Sequence, residues 1–199
     1  MKLVIALVVS YLLGAIPFAY LAGKYQGIDI RQHGSGNMGT TNAFRVLGRG
    51  MGTLVFVGDF VKGLLAAQVG LSTGGYTWGP WLAILTGMLA LLGHSYNPFF
   101  GFRPTGKGVA SGAGVIMRLM PLPTILTLLV FSAVLLLSRY VSLASVIAAG
   151  FAVVSAILLQ NEKAYALFTL CGAALVIYRH RDNLKRLRAG TEPKIGEKK

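Results

Sequence analysis

Long apolar runs separated by short polar segments are the feature that most constrains the fold of this chain. Of its 199 residues, 54% are hydrophobic and only 13% are charged, and the mean hydropathy is +0.65. A run of about 20 apolar residues can cross the hydrocarbon layer of a bilayer as a helix. The pattern therefore predicts an all-α integral membrane protein, with one polytopic domain over residues 1–199.

The apolar runs predict about seven transmembrane helices. The fourth run, between Lys107 and Pro121, is too short to cross a bilayer unaided. Pro17 is expected to kink the first helix, because proline lacks the N–H that a helix uses. A short outer turn over residues 72–80 joins the second and third helices. The predicted spans cover residues 3–23, 51–71, 81–94, 108–119, 122–137, 141–159 and 164–178.

The cations predict the orientation of the chain. If the spans alternate in direction, fifteen of the 19 Lys and Arg residues fall on one side, eight of them in the tail at residues 179–199. The positive-inside rule places that side in the cytoplasm, so the N-terminus lies outside and the C-terminus is cytoplasmic. The net charge of +13 then reflects loops and a tail that attract anionic lipid, and it does not indicate nucleic acid as a partner.

The first polar segment, residues 34–45, reads GSGNMGTTNAFR and predicts an anion site. Its glycines can adopt positive φ and turn successive N–H groups inward, and Arg45 offers a bidentate fork for phosphate. The segment also spells G-x-G-x-x-G, but a membrane span precedes it where a dinucleotide fold needs a strand. A flexible polar connector is the alternative interpretation. The candidate phosphate ligands are Gly34, Ser35, Gly36, Asn37, Thr41, Asn42 and Arg45.

The second polar segment, residues 93–111, predicts another phosphate site. Gly106, Lys107 and Gly108 stand at the start of an apolar run, where free N–H groups and the helix dipole favour an anion. The segment partly matches a nucleotide-binding loop, G-x-x-x-x-G-K, but Gly108 replaces the Ser or Thr that would hold magnesium and no strand leads in. His94 is interpreted mainly as a polar anchor at the end of a span, with a role in proton transfer as the alternative.

Asp59 and Lys62 are ionisable residues inside the second predicted span. Each charge costs about 2.5–3.5 kcal/mol at the centre of a membrane helix, so neither is expected to face lipid. Their i, i+3 spacing puts them on one helix face. They either form a buried ion pair that fixes helix packing or border a polar cavity in which Lys62 attracts a phosphate.

Two more pairs of polar residues lie at i, i+3 spacing near the ends of later spans. Ser142 and Ser145 open the sixth span, either as a cap and a hydroxyl bonded to its own turn or as substrate contacts. His180 and Asn183 follow the last span, at the start of a basic tail that is expected to lie on anionic lipid as an amphipathic helix.

These segments resemble a known family, the bacterial acyl-phosphate-dependent glycerol-3-phosphate acyltransferases (the PlsY family). The first segment is similar to that family's GSGNxGxTN signature followed by Arg. The second is similar to its GHxxPxFxxF and GKGVA elements, although residues 103–105 depart from the family pattern and the loop is one residue longer. Further similarities are DxxKG at 59–63, SLAS at 142–145, RHRxN at 179–183, and Gly190, Glu192 and Lys194 in the tail.

The resemblance implies a function, a location and a set of site residues. The family transfers a fatty acyl group from acyl phosphate to glycerol-3-phosphate, giving lysophosphatidic acid (1-acyl-glycerol-3-phosphate) and phosphate, in the first acylation step of phospholipid synthesis. The active site would face the cytoplasm from the bacterial plasma (inner) membrane, with membrane lipid and a soluble acyl-phosphate-forming enzyme as partners. No cofactor or metal is expected. A membrane transporter or flippase of an organic phosphate is the alternative function.

The site residues fall into three groups, with His180 or a substrate phosphate as the general base. Ser35, Arg45 and Lys107 are expected to hold one or both phosphates. Ser142, His180 and Asn183 are expected to orient the acceptor or stabilise developing charge. The full set is Ser35, Lys107, Ser142, His180 and Asn183 as catalytic residues; Gly34, Gly36, Asn37, Thr41, Asn42, Arg45, Gly106, Gly108 and Ser145 as binding residues; and Asp59, Lys62 and His94 in support.

Overall fold

The computed structural model describes residues 1–160 and 162–195, and this part of the chain is almost entirely helical. Within it the only β-type pairing is an isolated bridge between Tyr96 and Pro104, so the all-α prediction is confirmed. Short 3₁₀ turns lie at Ile30–Gln32 and Pro98–Phe100. The α-helices are α1 Lys2–Ala15, α2 Phe18–Tyr25, α3 Thr40–Val46, α4 Gly48–Ser95, α5 Val109–Leu119, α6 Pro121–Ser138, α7 Val141–Leu159, α8 Lys163–Arg179 and α9 Arg181–Arg188.

Several of these helices have the length and composition of membrane spans. Among the described residues, α4, α6 and α7 are each long and apolar enough to cross a bilayer. Helices α1 and α2 meet the same criterion as a pair, bent by 42° at the break between them. The membrane class predicted from the apolar runs is therefore supported, while the count of seven crossings stays a prediction.

The break between α1 and α2 lies where the sequence placed a kink. Helix α1 ends at Ala15, and Pro17 precedes the first residue of α2. Proline cannot donate the hydrogen bond that would continue the helix, and its ring restricts the residue before it. The kink predicted at Pro17 is confirmed, and it leaves the carbonyl of Ile16 available to a side chain from α4.

Helix α4 is a hairpin of two helical arms, residues 48–74 and 76–95. Gly75 has φ 60° and ψ −152°, a conformation that essentially only glycine adopts. A methyl group added to Gly70 would overlap Ala83, although these residues would lie about 20 Å apart in one straight helix. The chain therefore reverses at Gly75, inside the predicted turn, and the two arms correspond to the predicted second and third spans.

Glycines allow the first unit of the chain to pack closely. The contacts divide the chain into two compact units, Met1–Leu119 and Met120–Lys199. In the first, a methyl group on Gly63 or Gly114 would overlap the backbone of the facing helix, so α5 crosses the first arm of α4 at close range. Helix α5 has 11 residues. In the same way, Gly14 of α1 lies directly against the backbone of Ala90 in the second arm.

The second unit contains α6 to α9. Helix α7 packs between α6 and α8, and α9 contacts both α7 and α8. Arg139 ends α6 in a left-handed conformation with φ 63°. Its carbonyl accepts a hydrogen bond from the N–H of Ile195, and its Nη2 donates one to the Ile195 carbonyl. The tail is therefore fastened to the end of α6, although the single domain predicted for residues 1–199 stays a prediction.

Candidate active site

The glycine-rich loop at residues 34–39 is shaped by two glycines and one buried asparagine. Gly34 and Gly36 adopt positive φ, 62° and 68°, as predicted, whereas Gly39 is extended at φ −117° and precedes α3. The side chain of Asn42 is 2% exposed; its Oδ1 accepts from the Ser35 N–H at 3.0 Å and its Nδ2 donates to the His33 carbonyl at 3.1 Å. The Asn42 side chain therefore holds the loop in shape by hydrogen-bonding to the backbone of the loop.

The backbone N–H groups of this loop do not form the inward-facing nest that the sequence predicted. The Ser35 N–H bonds Asn42, the Gly36 N–H bonds the His33 carbonyl, and the Met38 N–H bonds the Thr105 carbonyl at 3.2 Å. Because these donors already have acceptors, the expectation of a backbone nest is wrong for this conformation. The side chains of Ser35, Thr41 and Arg45 are exposed and remain the groups through which the loop can meet an anion.

The second polar segment folds back on the end of α4. The Thr105 N–H donates to the Ser95 carbonyl, and its Oγ1 donates to the His94 carbonyl at 2.6 Å. Any side chain at Gly106 would overlap the His94 ring, and Gly108 has φ 77°. Both glycines are thus required by the backbone path that leads to the half-buried Lys107 and into α5.

The two polar segments of the first unit meet. The hydrogen bond from the Met38 N–H to the Thr105 carbonyl joins the loop that carries Ser35 to the strand-like stretch before Lys107. Residues that are separated by about seventy positions in sequence are therefore neighbours in the fold. This contact brings together the two segments that carry Ser35 and Lys107, which are predicted to hold phosphate.

Two buried hydroxyl groups lie near the start of α5. Ser95 and Ser111 are both 0% exposed, and neither Oγ has a hydrogen-bond partner among the described residues. Ser111 belongs to the first turn of α5, and a methyl group at Gly108 would lie 3.8 Å from the Ser95 Oγ. A buried hydroxyl without a partner costs free energy, so these groups are consistent with a ligand contacting the N-terminal end of α5.

Asp59 and Lys62 form the buried ion pair that was one of the two predictions for them. The Lys62 Nζ lies 2.7 Å from the Asp59 Oδ1, and the side chains are 3% and 2% exposed. Lys62 also donates to the Ile16 carbonyl at 2.9 Å, and the His94 Nδ1 lies 3.5 Å from Asp59. Asp59, Lys62 and His94 therefore connect the two arms of α4 with the break between α1 and α2. His94 also contacts the backbone at Gly106.

The same residues border a small polar cavity. Its lining includes Asp59, Lys62, His94 and Thr105, and it offers about 10 Å³ to the centre of a water molecule. That is room for about one water molecule and not for a phosphorylated substrate. Lys62 thus faces a polar cavity, but in this structure the cavity serves the ion pair and does not admit a substrate phosphate.

A carboxylate organises the polar cluster of the second unit. Glu192 accepts hydrogen bonds from the Ser142 Oγ at 2.7 Å, the Asn183 Nδ2 at 2.6 Å and the Arg186 Nε at 2.7 Å. Burial by itself would raise the pKa of Glu192, but these hydrogen bonds outweigh it and hold the pKa below its usual value. Ser142 and Asn183, predicted as catalytic residues, are thus held together by a tail residue.

Sequence reasoning did not assign a role to Glu192. The sequence indicates this residue only through the family resemblance, because its contact with Ser142 spans 50 positions. The available signal was an acidic residue in a strongly basic tail, where a paired role is expected for a carboxylate.

Ser145 and His180 make local hydrogen bonds. The Ser145 Oγ donates to the Val141 carbonyl at 2.8 Å, which is the bond to its own turn that the sequence offered as an alternative to substrate contact. The His180 Nδ1 lies 2.8 Å from the Val176 carbonyl. Because a carbonyl only accepts, Nδ1 carries the proton, and in the neutral ring Nε2 carries the lone pair. The described residues contain no group of three or more His, Cys, Asp or Glu side chains that could hold a metal ion.

Comparison with known proteins identifies the family. The family model described as glycerol-3-phosphate acyltransferase matches residues 4–190. The chain belongs to the glycerol-3-phosphate acyltransferase family. This membership confirms the resemblance found in the two polar segments and the tail, and with it the prediction of an acyltransferase.

Curated glycerol-3-phosphate acyltransferases and solved structures of the family are similar over nearly the whole chain. The glycerol-3-phosphate acyltransferase of Syntrophomonas wolfei is 45% identical over 193 residues, covering 96% of each chain. Glycerol-3-phosphate acyltransferase 2 of Moorella thermoacetica is 46% identical, covering 98% of each. Two crystal structures of PlsY (YgiH), an integral membrane glycerol 3-phosphate acyltransferase, are 37% identical and cover 98% of this chain. Their TM-scores are 0.92 for the glycerol 3-phosphate form and 0.90 for the lysophosphatidic acid form.

Proposed function

We propose that this chain transfers a fatty acyl group from acyl phosphate to glycerol-3-phosphate, giving lysophosphatidic acid and phosphate. The observation that carries the proposal is membership of the glycerol-3-phosphate acyltransferase family over residues 4–190. The similar PlsY structures have a form named for glycerol 3-phosphate and one named for lysophosphatidic acid, which match the acceptor and product. Family membership favours this reaction over the transport of an intact organic phosphate.

The donor we propose is a mixed anhydride, which is already activated. The acceptor hydroxyl oxygen forms a bond to the acyl carbon, the bond from that carbon to the phosphate oxygen breaks, and phosphate leaves. The protein therefore has to position the two reactants and stabilise negative charge on the tetrahedral intermediate and on the departing phosphate. No covalent acyl-enzyme and no cofactor are required by this reaction.

In the first unit, we assign phosphate binding to Ser35, Arg45 and Lys107. Ser35 and Arg45 are exposed on the glycine-rich loop and on α3, where their side chains can reach a soluble phosphate. Lys107 lies two residues before Val109, the first residue of α5, where the helix dipole and the cation both favour an anion. The supporting contacts are the tether from Asn42 and the packing of Gly106 against His94.

In the second unit, we assign acceptor orientation to Ser142, Asn183 and His180. Glu192 fixes the side chains of Ser142 and Asn183 by accepting a hydrogen bond from each. The other polar atoms of these two side chains therefore point in defined directions, as substrate positioning requires. His180 has its Nδ1 proton directed at the Val176 carbonyl, which suits Nε2 for accepting the proton of the acceptor hydroxyl. A phosphate oxygen of a substrate is the alternative proton acceptor.

We further propose the membrane placement that the charge distribution predicts. The chain crosses the bacterial plasma membrane about seven times, with the short α5 as the fourth segment, the N-terminus outside and the polar segments at the cytoplasmic face. That face gives access to water-soluble glycerol-3-phosphate from the cytoplasm and to acyl phosphate from the bilayer or from a soluble enzyme that makes it. A labelling experiment with membrane-impermeant reagents on single cysteines at either end tests the orientation.

The proposed reaction is tested with purified protein in detergent. Radiolabelled glycerol-3-phosphate and acyl phosphate should give a labelled product that partitions into organic solvent, with one phosphate released for each molecule of product. The Lys107→Ala variant should lose most of the turnover while its melting temperature stays near that of the wild type, and Lys163→Ala, an exposed lysine outside the proposed site, should keep it. Near-normal turnover in Lys107→Ala would remove this lysine from the site.

A further inference from the structure

An open groove in the first unit borders the glycine-rich loop, and the reaction proposed above assigns no role to the cations that line it. It has a volume of about 560 Å³ and lies between the glycine-rich loop and the turn that follows α4. Arg31 and Arg103 line it, together with Phe99 and the backbone at Gly36. The groove therefore combines two guanidinium groups with an aromatic side chain at the edge of a membrane domain.

Arg31 is held rigidly at one side of the groove. Its Nη2 lies 2.7 Å from the Asp29 Oδ2, and its Nε bonds the same carboxylate. Its guanidinium carbon lies 5.0 Å from the centre of the Tyr20 ring and 5.3 Å from the centre of the Phe100 ring. A guanidinium fixed in this way loses little conformational freedom when it binds a further anion.

The charge around the groove is positive. Arg103 lines the groove, and the Nζ of Lys24 lies 5.8 Å from the centre of the Tyr20 ring, on which Arg31 also stacks. Among the described residues, the carboxylate that lies near these three cations is that of Asp29, whose hydrogen bond with Arg31 lowers its pKa to about 2.

The turn that forms the other side of the groove exposes two phenylalanines. Phe99 is 65% exposed and Phe102 is 62% exposed, and Phe102 has φ 57°, which is an uncommon conformation for a bulky residue. The turn begins directly after Ser95, the last residue of the membrane-length helix α4. These rings therefore lie near the level of the lipid headgroups, where aromatic side chains are enriched.

We propose that this groove binds the headgroup of an anionic phospholipid, with the lipid phosphate between Arg31 and Arg103 and with Phe99 and Phe102 against the first acyl carbons. A water-soluble phosphate would leave both phenylalanines exposed to water. A zwitterionic lipid carries no net charge to match the excess of cations. An anionic lipid satisfies both features, so it is the occupant that the charge and the exposed rings favour together.

The proposal is tested by fluorescence quenching in nanodiscs of zwitterionic lipid. The two native tryptophans are replaced by Trp78→Phe and Trp81→Phe, and Phe99→Trp places a single reporter at the groove. Brominated phosphatidylglycerol or brominated phosphatidylcholine is then added at the same low fraction. The anionic lipid should quench the reporter at a several-fold lower fraction than the zwitterionic lipid.

Matched variants separate a specific site from general surface charge. Arg103→Gln should reduce the preference for the anionic lipid about fivefold, because one cation near the membrane surface contributes about that factor. Arg103→Lys should retain most of it. Arg49→Gln removes an exposed cation on the same predicted membrane face but outside the groove, and it should leave the preference unchanged.

Three results would overturn the proposal. Equal quenching by the two lipids would show that the groove does not select anionic lipid. Equal losses in Arg49→Gln and Arg103→Gln would assign the preference to the general surface potential. Displacement of the anionic lipid by millimolar glycerol-3-phosphate or inorganic phosphate would assign the groove to a soluble phosphate. None of these outcomes depends on acyl transfer, so failure here leaves the proposed reaction unaffected.

Discussion

The buried ion pair of Asp59 and Lys62 makes the sharpest prediction about stability. The Lys62→Met variant keeps the length of the side chain but removes its charge, leaving the Asp59 carboxylate 2% exposed with its nearest cation gone. Breaking a buried pair by removing one partner costs about 3–5 kcal/mol, because an uncompensated charge stays buried. Lys62→Met also removes the hydrogen bond to the Ile16 carbonyl, which ties the break after α1 to α4.

Replacing both partners should cost much less than replacing one. In the double variant Asp59→Leu/Lys62→Met no charge remains to be desolvated, and such replacements are often neutral. The remaining cost is the hydrogen bond from Lys62 to the Ile16 carbonyl, about 1 kcal/mol, since this carbonyl keeps the Phe18 N–H as a donor. For a chain of this size each kcal/mol shifts the melting temperature by about 2–4 °C, so the single variant should melt about 6–20 °C below the wild type and the double variant within about 4 °C of it.

Thermal unfolding of the detergent-purified protein measures both shifts. The intrinsic fluorescence of Trp78 and Trp81, which lie just after the reversal of α4 at Gly75, reports on the unfolding of that hairpin. Lys163→Met, which removes an exposed lysine, is the control and should melt like the wild type. If the single and double variants were equally destabilised, the two charges would not depend on each other, and the description of a coupled buried pair would be refuted.

Two further predictions concern helix packing and the tail. Gly114→Ala should destabilise the protein by about 1–3 kcal/mol, because its methyl group would overlap the Phe60 carbonyl. Gly150→Ala should be neutral or slightly stabilising, because no atom lies within 4 Å of the added methyl group. Melting temperatures check both variants. Glu192→Gln should cost about 1–3 kcal/mol, since the charged acceptor for Asn183 is lost. Because the folded-state pKa of Glu192 lies below its usual 4.5, its stabilisation is complete above that pH and is lost as the pH falls through the folded-state pKa. Melting temperatures measured from neutral to acidic pH should decline more in the wild type than in the variant, which keeps only the acid sensitivity of the other carboxylates.

The local features of the fold could be predicted from the sequence because each depends on neighbouring residues. Hydropathy locates α6 and α7 nearly to the residue, since an apolar run bounded by polar residues has few alternatives in a membrane. Pro17 fixes a break because of its own covalent structure. The spacing of Asp59 and Lys62 puts them on one helix face, and their pairing follows from the cost of burying either charge alone.

The features that the sequence did not reveal depend on contacts between distant segments. The N–H groups of the glycine-rich loop were expected to face an anion, but Asn42 and the Thr105 carbonyl accept two of them. Glu192 joins Ser142 to the tail across 50 positions in the sequence, and no local sequence pattern predicts such a contact. Residue type indicates which chemistry is available, whereas the partners of each polar group are decided by tertiary packing.

The choice of acyl donor by the pure protein tests the central claim most directly. Wild-type protein is supplied with labelled glycerol-3-phosphate and with acyl phosphate, acyl-CoA or acyl carrier protein as the only acyl source, without other proteins. The account predicts lysophosphatidic acid from acyl phosphate, with release of phosphate that requires glycerol-3-phosphate, and little or no product from the two thioesters. Product formation from a thioester at an equal or higher rate, or release of phosphate without the acceptor, would contradict it.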